Sequence, residues 1–314
     1  MVRQVRYEGV GIHSFELVHP QGQVLPAFTA GAHIDVHVPG GFVRQYSLCN
    51  DPAERHRYLI AVLRDEHGRG GSRQLHAALT VSSSVTVSQP RNQFRLDDTA
   101  RTVILLAGGI GITPLKSMVH TLQRQGRDFM LHYCAKDLEH LAFRDTMTAL
   151  EQAGQASFHF DGGDPKNGLD IAGLLRAPAP GTALYYCGPG GFMQACAAAA
   201  QHWPKGSVHC EHFKAPEPSP ILSAARAPGS FQIQIASTGR LIAVPADESI
   251  ATALEKAGIA IETSCLSGLC GTCRIRYLEG EVEHNDFILD EDERAHYLTA
   301  CVSRCHSERL VLDL

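Results

Sequence analysis

Hydrophobic and polar positions change rhythm twice along the chain. Up to about residue 98 they tend to alternate. Ile34-Asp35-Val36-His37-Val38 runs into Pro39-Gly40-Gly41, and 58–63 and 81–87 are further β-rich stretches between turn residues. Short strands at this spacing predict a barrel or sandwich. From Thr102 the pattern becomes continuous apolar runs. Val103-Ile104-Leu105-Leu106-Ala107 reads as a buried parallel strand. A Gly-rich turn and a helix follow, then strands at 129–134, 156–160 and 183–186 and a helix at 141–153. Strand–helix alternation predicts a parallel sheet with helices on both faces. Beyond a Pro-rich stretch, Ala215-Pro216-Glu217-Pro218-Ser219-Pro220, alternation returns. Phe231-Gln232-Ile233-Gln234-Ile235 and Leu241-Ile242-Ala243-Val244, with a turn at Gly239, predict a hairpin, and 247–257 predicts a helix. The expected domains are 1–98, 99–214 and 229–314, with a linker at 215–228.

Composition narrows the function. With 314 residues, 44% of them hydrophobic, the chain can bury several ordinary cores. A net charge of −5 argues against a nucleic-acid partner. No apolar run approaches the ~20 residues of a membrane span, and Met1-Val2-Arg3-Gln4-Val5-Arg6-Tyr7 lacks the apolar core of a signal peptide. The expectation is a soluble, cytoplasmic protein.

The ten cysteines are unevenly placed. In a reducing compartment a cysteine cluster points to metal or redox chemistry rather than disulfides. Cys265-x4-Cys270-x2-Cys273, with Cys301 further on, has the plant-type 2Fe–2S spacing. Three thiolates come from one tight loop and the fourth from elsewhere, and Gly268 and Gly271 let the loop backbone approach the sulfurs. A structural zinc site is the alternative. Zinc favours two C-x2-C pairs, and the second pair is missing. Cys305 is a competing ligand or a spare thiol. This segment resembles the β-grasp fold of plant-type ferredoxins.

Two further motifs bear on cofactors. Arg44-Gln45-Tyr46-Ser47 together with Gly68-Arg69-Gly70-Gly71-Ser72 resembles the flavin domain of the ferredoxin reductase superfamily. The resemblance implies that Tyr46 walls the isoalloxazine and that Ser47 bonds near its redox-active nitrogen. It also implies that Arg44, Gly70, Gly71 and Ser72 hold a phosphate. Gly108-Gly109-Ile110-Gly111-Ile112-Thr113-Pro114 follows an apolar strand and opens a helix, with Thr113 as N-cap and Pro114 at the first helical position. Bare amides at a helix N-terminus bind pyrophosphate. Pro114 stands where G-x-G-x-x-G has its third Gly, which excludes the dehydrogenase-type Rossmann fingerprint. The motif is instead similar to the pyridine-nucleotide module of ferredoxin reductases. Cys187-Gly188-Pro189 matches that superfamily's nicotinamide-lining motif and puts Cys187 beside the hydride-transfer site. Asp137, past the second strand of this sheet, suits ribose hydroxyls and hence NADH, although Lys136 and Arg144 would tolerate a phosphate. Glu211-His212-Phe213 ends the module, where the family places an aromatic or acidic tail, so Phe213 is a candidate flavin cover.

The order of flavin barrel, nucleotide module and ferredoxin resembles, over essentially the full length, the phthalate dioxygenase reductase family, including the reductases of vanillate O-demethylases. The resemblance implies FMN, NADH and a 2Fe–2S cluster held by Cys265, Cys270, Cys273 and Cys301. It further implies a monomer and a Rieske-type oxygenase as acceptor. Another acceptor, such as a di-iron hydroxylase, is the closest alternative, and a non-catalytic cluster-binding protein is the more distant one. The acidic segment 286–293 suits either a protein partner or a solvated face.

Overall fold

The computed structural model describes residues 1–68, 70–215 and 229–314. The expected linker, apart from Ala215, and Arg69 of the Gly68–Ser72 motif lie outside the described residues. The chain forms two compact units, Met1–Glu211 and His212–Leu314.

The first unit opens with strands β1 (Val2–Gly9), β2 (Ile12–Leu17), β3 (His33–Val38), β4 (Phe42–Ser47), β5 (Tyr58–Leu63) and β6 (Thr86–Val87). They make two antiparallel three-stranded sheets, β1-β2-β5 and β4-β3-β6. Both sheets close over one core of Phe15, Ile34, Val36, Leu48, Tyr58 and Ile60. The expected strand at 81–87 shortens to β6, because Ser82 turns the chain at φ 72 and Ser83 Oγ accepts the Thr80 N–H. A helix absent from the sequence reading, α1 (Gly71–Ala78), drops Leu75 into the same core.

A fully parallel five-stranded sheet follows, built from β7 (Thr102–Gly108), β8 (Asp128–Ala135), β9 (Ala156–Phe160), β10 (Thr182–Cys187) and β11 (Val208–Glu211). Its spatial order is β11-β10-β7-β8-β9. Neighbouring residues of one strand serve opposite faces. Leu105 packs with Leu115, Met118 and Leu122 of α2 (Ile112–Gln125) and with Met147 of α3 (Arg144–Gln152). Leu106 packs with Leu175 of α4 (Ile171–Leu175) and Met193 and Cys196 of α5 (Gly190–Ala199). The modules expected at 1–98 and 99–214 share one compact unit because the α2 face also buries Ile12, Cys49, Ala61 and Phe94 of the barrel.

In the second unit, β12 (Phe231–Ile235), β13 (Leu241–Val244), β14 (Arg274–Glu279), β16 (Tyr297–Thr299) and β18 (Arg309–Leu312) form a sheet of order β13-β12-β18-β14-β16. A short pair, β15 (Val282–Glu283) and β17 (Arg304–Cys305), stands beside it. Helix α6 (Ile250–Lys256) covers the sheet through Ile250 and Leu254, which is the β-grasp arrangement. The helix starts later than the expected 247, since the Ser249 hydroxyl caps it by accepting the Thr252 N–H. A last short helix, α7 (Glu291–Arg294), is closed by a capping box between Asp290 and Glu293.

Candidate functional site

Parallel sheets bind ligands where successive connections leave a strand in opposite directions. Here the chain leaves β7 towards β8 and β9, then returns to place β10 on the other side of β7. Gly108–Thr113 and Cys187–Pro189 lie at the carboxyl ends of those two strands, with Ala107 and Cys187 in register. Gly111 caps α2 with no side-chain hydrogen bond. A Cβ there would lie 2.0 Å from the Cys187 carbonyl oxygen, so only Gly permits the contact between the two motifs. Thr113 is not the N-cap. The helix begins at Ile112, and the Thr113 hydroxyl donates instead to the Ile110 carbonyl (3.0 Å). Pro114 is accordingly the third helical residue, still within the turn whose amides need no partner. No side chain caps the α2 start, which leaves it open to an anion, while the Ile112 N–H turns back to the Gly109 and Ile110 carbonyls.

The barrel supplies a second anion cradle. Gly70 caps α1 at φ 90 without a side-chain bond. Arg44 lies directly over this helix start, since a Cβ on Gly71 would come within 2.5 Å of its Nε. The Arg44 guanidinium also rests on the Phe42 ring (5.2 Å) and donates to the Val43 carbonyl (2.8 Å). Ser72 Oγ accepts the Asp65 N–H (3.0 Å), so its oxygen holds the preceding turn. An arginine above two glycine amides fits the terminal phosphate of a flavin. Tyr46, next along β4, is partly buried against the barrel core.

Ser47 joins the two modules of the first unit. It is buried at the end of β4, and its Oγ donates to Glu211 Oε2 (3.2 Å). Glu211 ends β11 directly beside Cys187, and His33 Nδ1 stands 3.9 Å from Glu211 Oε1. Burial pushes the Glu211 carboxyl up to about 8, with the Ser47 bond opposing it. Burial and then the Glu211 charge raise the Cys187 thiol well above its ordinary value, so it is not a thiolate. The sequence pattern marks Glu211 only as part of the tail that ends the nucleotide module, and does not single out His33. Their roles depend on pairing across the fold, with 164 positions separating Ser47 from Glu211.

Two further predicted residues have surroundings of their own. Asp137 Oδ1 is engaged by its own turn, accepting the Glu139 and His140 N–H groups (3.0 and 3.1 Å) and contacting His140 Nδ1 (2.6 Å). Phe213 belongs to the second unit and is 41% exposed.

The second unit carries the thiols. Cys265 is in hydrogen-bonding contact with Cys270 and Cys301, and Cys273 with Cys301. The Cys265 sulfur also accepts the Ser267 and Leu269 N–H groups (3.4 and 3.3 Å). The thiol contacts, followed by these two amides, pull the Cys265 thiol far below its ordinary value. The loop wraps the sulfurs by adopting positive φ at Leu266, Gly268 and Gly271. Thiols brought together by one loop and Cys301, with the Cys265 sulfur accepting two backbone N–H bonds, fit the donor set of a 2Fe–2S cluster. Cys305 is buried elsewhere in the unit, with its sulfur 3.0 Å from Ser307 Oγ.

Residues 233–306 match the 2Fe-2S iron-sulfur cluster binding domain family, and residues 105–168 match the oxidoreductase NAD-binding domain family. The solved structure of phthalate dioxygenase reductase is 41% identical over 100% of this chain and 96% of its own, with a TM-score of 0.73. The chain belongs to the phthalate dioxygenase reductase family. This reductase is accordingly an NADH-dependent iron–sulfur flavoprotein oxidoreductase, with FMN, NADH and a 2Fe–2S cluster as cofactors. It passes electrons from NADH through the flavin to the cluster, as the motifs implied. It is also 54% identical, over 100% of this chain and 95% of the relative, to the reductase subunit of a tert-butanol monooxygenase / tert-amyl alcohol desaturase from Aquincola tertiaricarbonis. An intact type IV self-sufficient cytochrome P450 monooxygenase matches at 35% identity and a TM-score of 0.90, this reductase spanning 40% of that longer chain.

Proposed function

We propose that the chain is the reductase component of a Rieske-type oxygenase, delivering electrons to that separate protein. The observation that carries this reading is end-to-end similarity to reductase subunits of oxygenase systems. FMN supplies the step between a two-electron hydride donor and a one-electron cluster.

In this reading each residue has a limited task. Arg44 and the amides of Gly70, Gly71 and Ser72 bind the FMN phosphate, and Tyr46 walls the ring. The amides of Gly108, Gly109, Gly111 and Thr113, with Pro114 closing the turn, hold the NADH pyrophosphate. Asp137 orients a ribose, while Cys187, Gly188 and Pro189 line the nicotinamide. Ser47 and Cys187 flank the reacting atoms. Glu211, neutral over most of the physiological range because it is buried, keeps Ser47 oriented without placing an anion beside the hydride path. Ten cysteines with no disulfide between them suit a reducing, cytoplasmic setting, and the family expectation is a monomer. Among the described residues no helix is long and apolar enough to cross a membrane.

The likeness to a P450 monooxygenase favours a second acceptor, a haem protein. One experiment separates the two. The purified reductase is mixed anaerobically with NADH and either a Rieske oxygenase encoded beside it or a P450, and the acceptor spectrum is followed. Reduction of the Rieske centre on each turnover supports the reading. Reduction of the haem alone overturns it.

A further inference from the structure

Helix α2 carries an expensive feature that nucleotide binding does not explain. Lys116, one turn past the glycine motif, is 6% exposed and, among the described residues, makes no ion pair. Its ammonium donates to the Cys49 carbonyl (3.1 Å), meets His120 Nε2 (2.9 Å) and lies 5.0 Å from the Phe143 ring centroid. A buried cation with no carboxylate at ion-pair distance is costly, and Glu54 and Glu8 act on Lys116 only at longer range. Burial accordingly pulls Lys116 below the usual lysine range and His120 down to about 4, keeping the imidazole neutral as an acceptor.

The neighbouring residues on α2 reach the same segment. Ser117, fully buried, donates to the Asn50 carbonyl (3.1 Å), and Arg124 pairs with Asp51. Asn50 is itself locked, its Oδ1 accepting the Leu59 N–H (2.9 Å) and its Nδ2 donating to the Arg57 carbonyl (3.2 Å). Cys49, Asn50 and Asp51 follow Ser47, the last residue of β4, with only Leu48 between. One helix therefore offers its N-terminal amides to one module's ligand site while three of its side chains grip the segment leaving the other's.

The geometry points to Lys116 as a positioning residue that, with Ser117, holds the end of β4 at a set distance from the α2 N-terminus and so sets how nicotinamide meets flavin. The inference rests on the placement of FMN at β4 and NADH at α2 proposed above. Neutral apolar packing would fill the same space, but only a donor of this length ties the helix to a backbone carbonyl across the module boundary.

Lys116→Met and the milder Ser117→Ala test it in the full, cofactor-loaded chain. Two readouts apply: hydrogen exchange at residues 48–51, and stopped-flow reduction of the bound flavin by NADH, including the long-wavelength nicotinamide–flavin band. A small misplacement of reacting atoms costs rate steeply. Lys116→Met should therefore lower the limiting reduction rate at least ~10-fold and weaken the band, while NADH affinity stays within about threefold and FMN content is unchanged. Exchange at 48–51 should rise, Ser117→Ala should fall about threefold in rate, and Lys116→Arg should recover part of the loss. If either folded variant shows faster exchange at 48–51 but an unchanged rate and band, the inference is wrong. It is also wrong if affinity falls by the same factor as the rate. Failure of the underlying placement looks different, since Arg44→Ala would then keep its flavin.

Discussion

Substituting Glu211 by Gln isolates the effect of one buried carboxyl. Gln keeps the volume and an oxygen for the Ser47 hydroxyl, and loses only the ability to ionise. In the folded chain Glu211 titrates near 8 rather than at its ordinary 4.5. The folded state thus holds a proton that the unfolded state releases, and stability declines with pH across that interval. Because the folded value is raised, the contribution is complete below about 4.5 and is lost as pH climbs through about 8. Each pKa unit is worth about 1.4 kcal/mol, so the full displacement amounts to roughly 5 kcal/mol. The side chain keeps 15% of its surface in solvent, and halving for that leaves about 2.5 kcal/mol. For a unit of this size that is about 5 °C in melting temperature. Flavin fluorescence, which rises as the first unit releases FMN, reports the transition. Wild type and Glu211→Gln should melt together near pH 4.5, and the variant should melt about 5 °C higher at pH 9. A melting difference that stays constant across this range would refute the assignment of a buried, neutral Glu211.

Two further outcomes follow from the cradles. Arg44→Ala removes a charge-assisted contact worth about 1.5–3 kcal/mol, so FMN affinity should drop by roughly 10- to 100-fold, read by gel filtration and fluorescence. Retention equal to wild type would place the phosphate elsewhere. Gly111→Ala forces a Cβ onto the Cys187 carbonyl, 2.0 Å away, and such overpacking costs about 1–3 kcal/mol. NADH binding and flavin reduction should both fail while the cluster spectrum persists, and a normal NADH affinity would count against pyrophosphate binding at this turn.

The architecture was legible where local pattern and burial coincide. Val103–Ala107 reads as a buried parallel strand because both its faces are covered by helices, as Leu105 and Leu106 show. The cysteine loop was legible because cluster geometry fixes its spacing. Helix α1 was not, because Gly70 and Gly71 signal a turn and the helix is held chiefly by Leu75 entering the barrel core. Thr113 misled because a hydroxyl before a proline resembles a cap, while its side chain is bonded back to Ile110 inside the helix. Glu211 and Lys116 have no local signature. Each gains its role from a segment distant in sequence, Ser47 in one case and Cys49 in the other.

The central claim is that NADH electrons reach the cluster by way of the flavin. Anaerobic NADH titration of wild type and Cys273→Ser, followed by visible absorbance and electron paramagnetic resonance, tests it most directly. In wild type the flavin band should bleach and the signal of a reduced 2Fe–2S cluster should appear. In Cys273→Ser the flavin band should still bleach, with no cluster signal and no cytochrome c reduction. Loss of flavin bleaching in a folded, FMN-loaded Cys273→Ser protein would contradict the order of transfer.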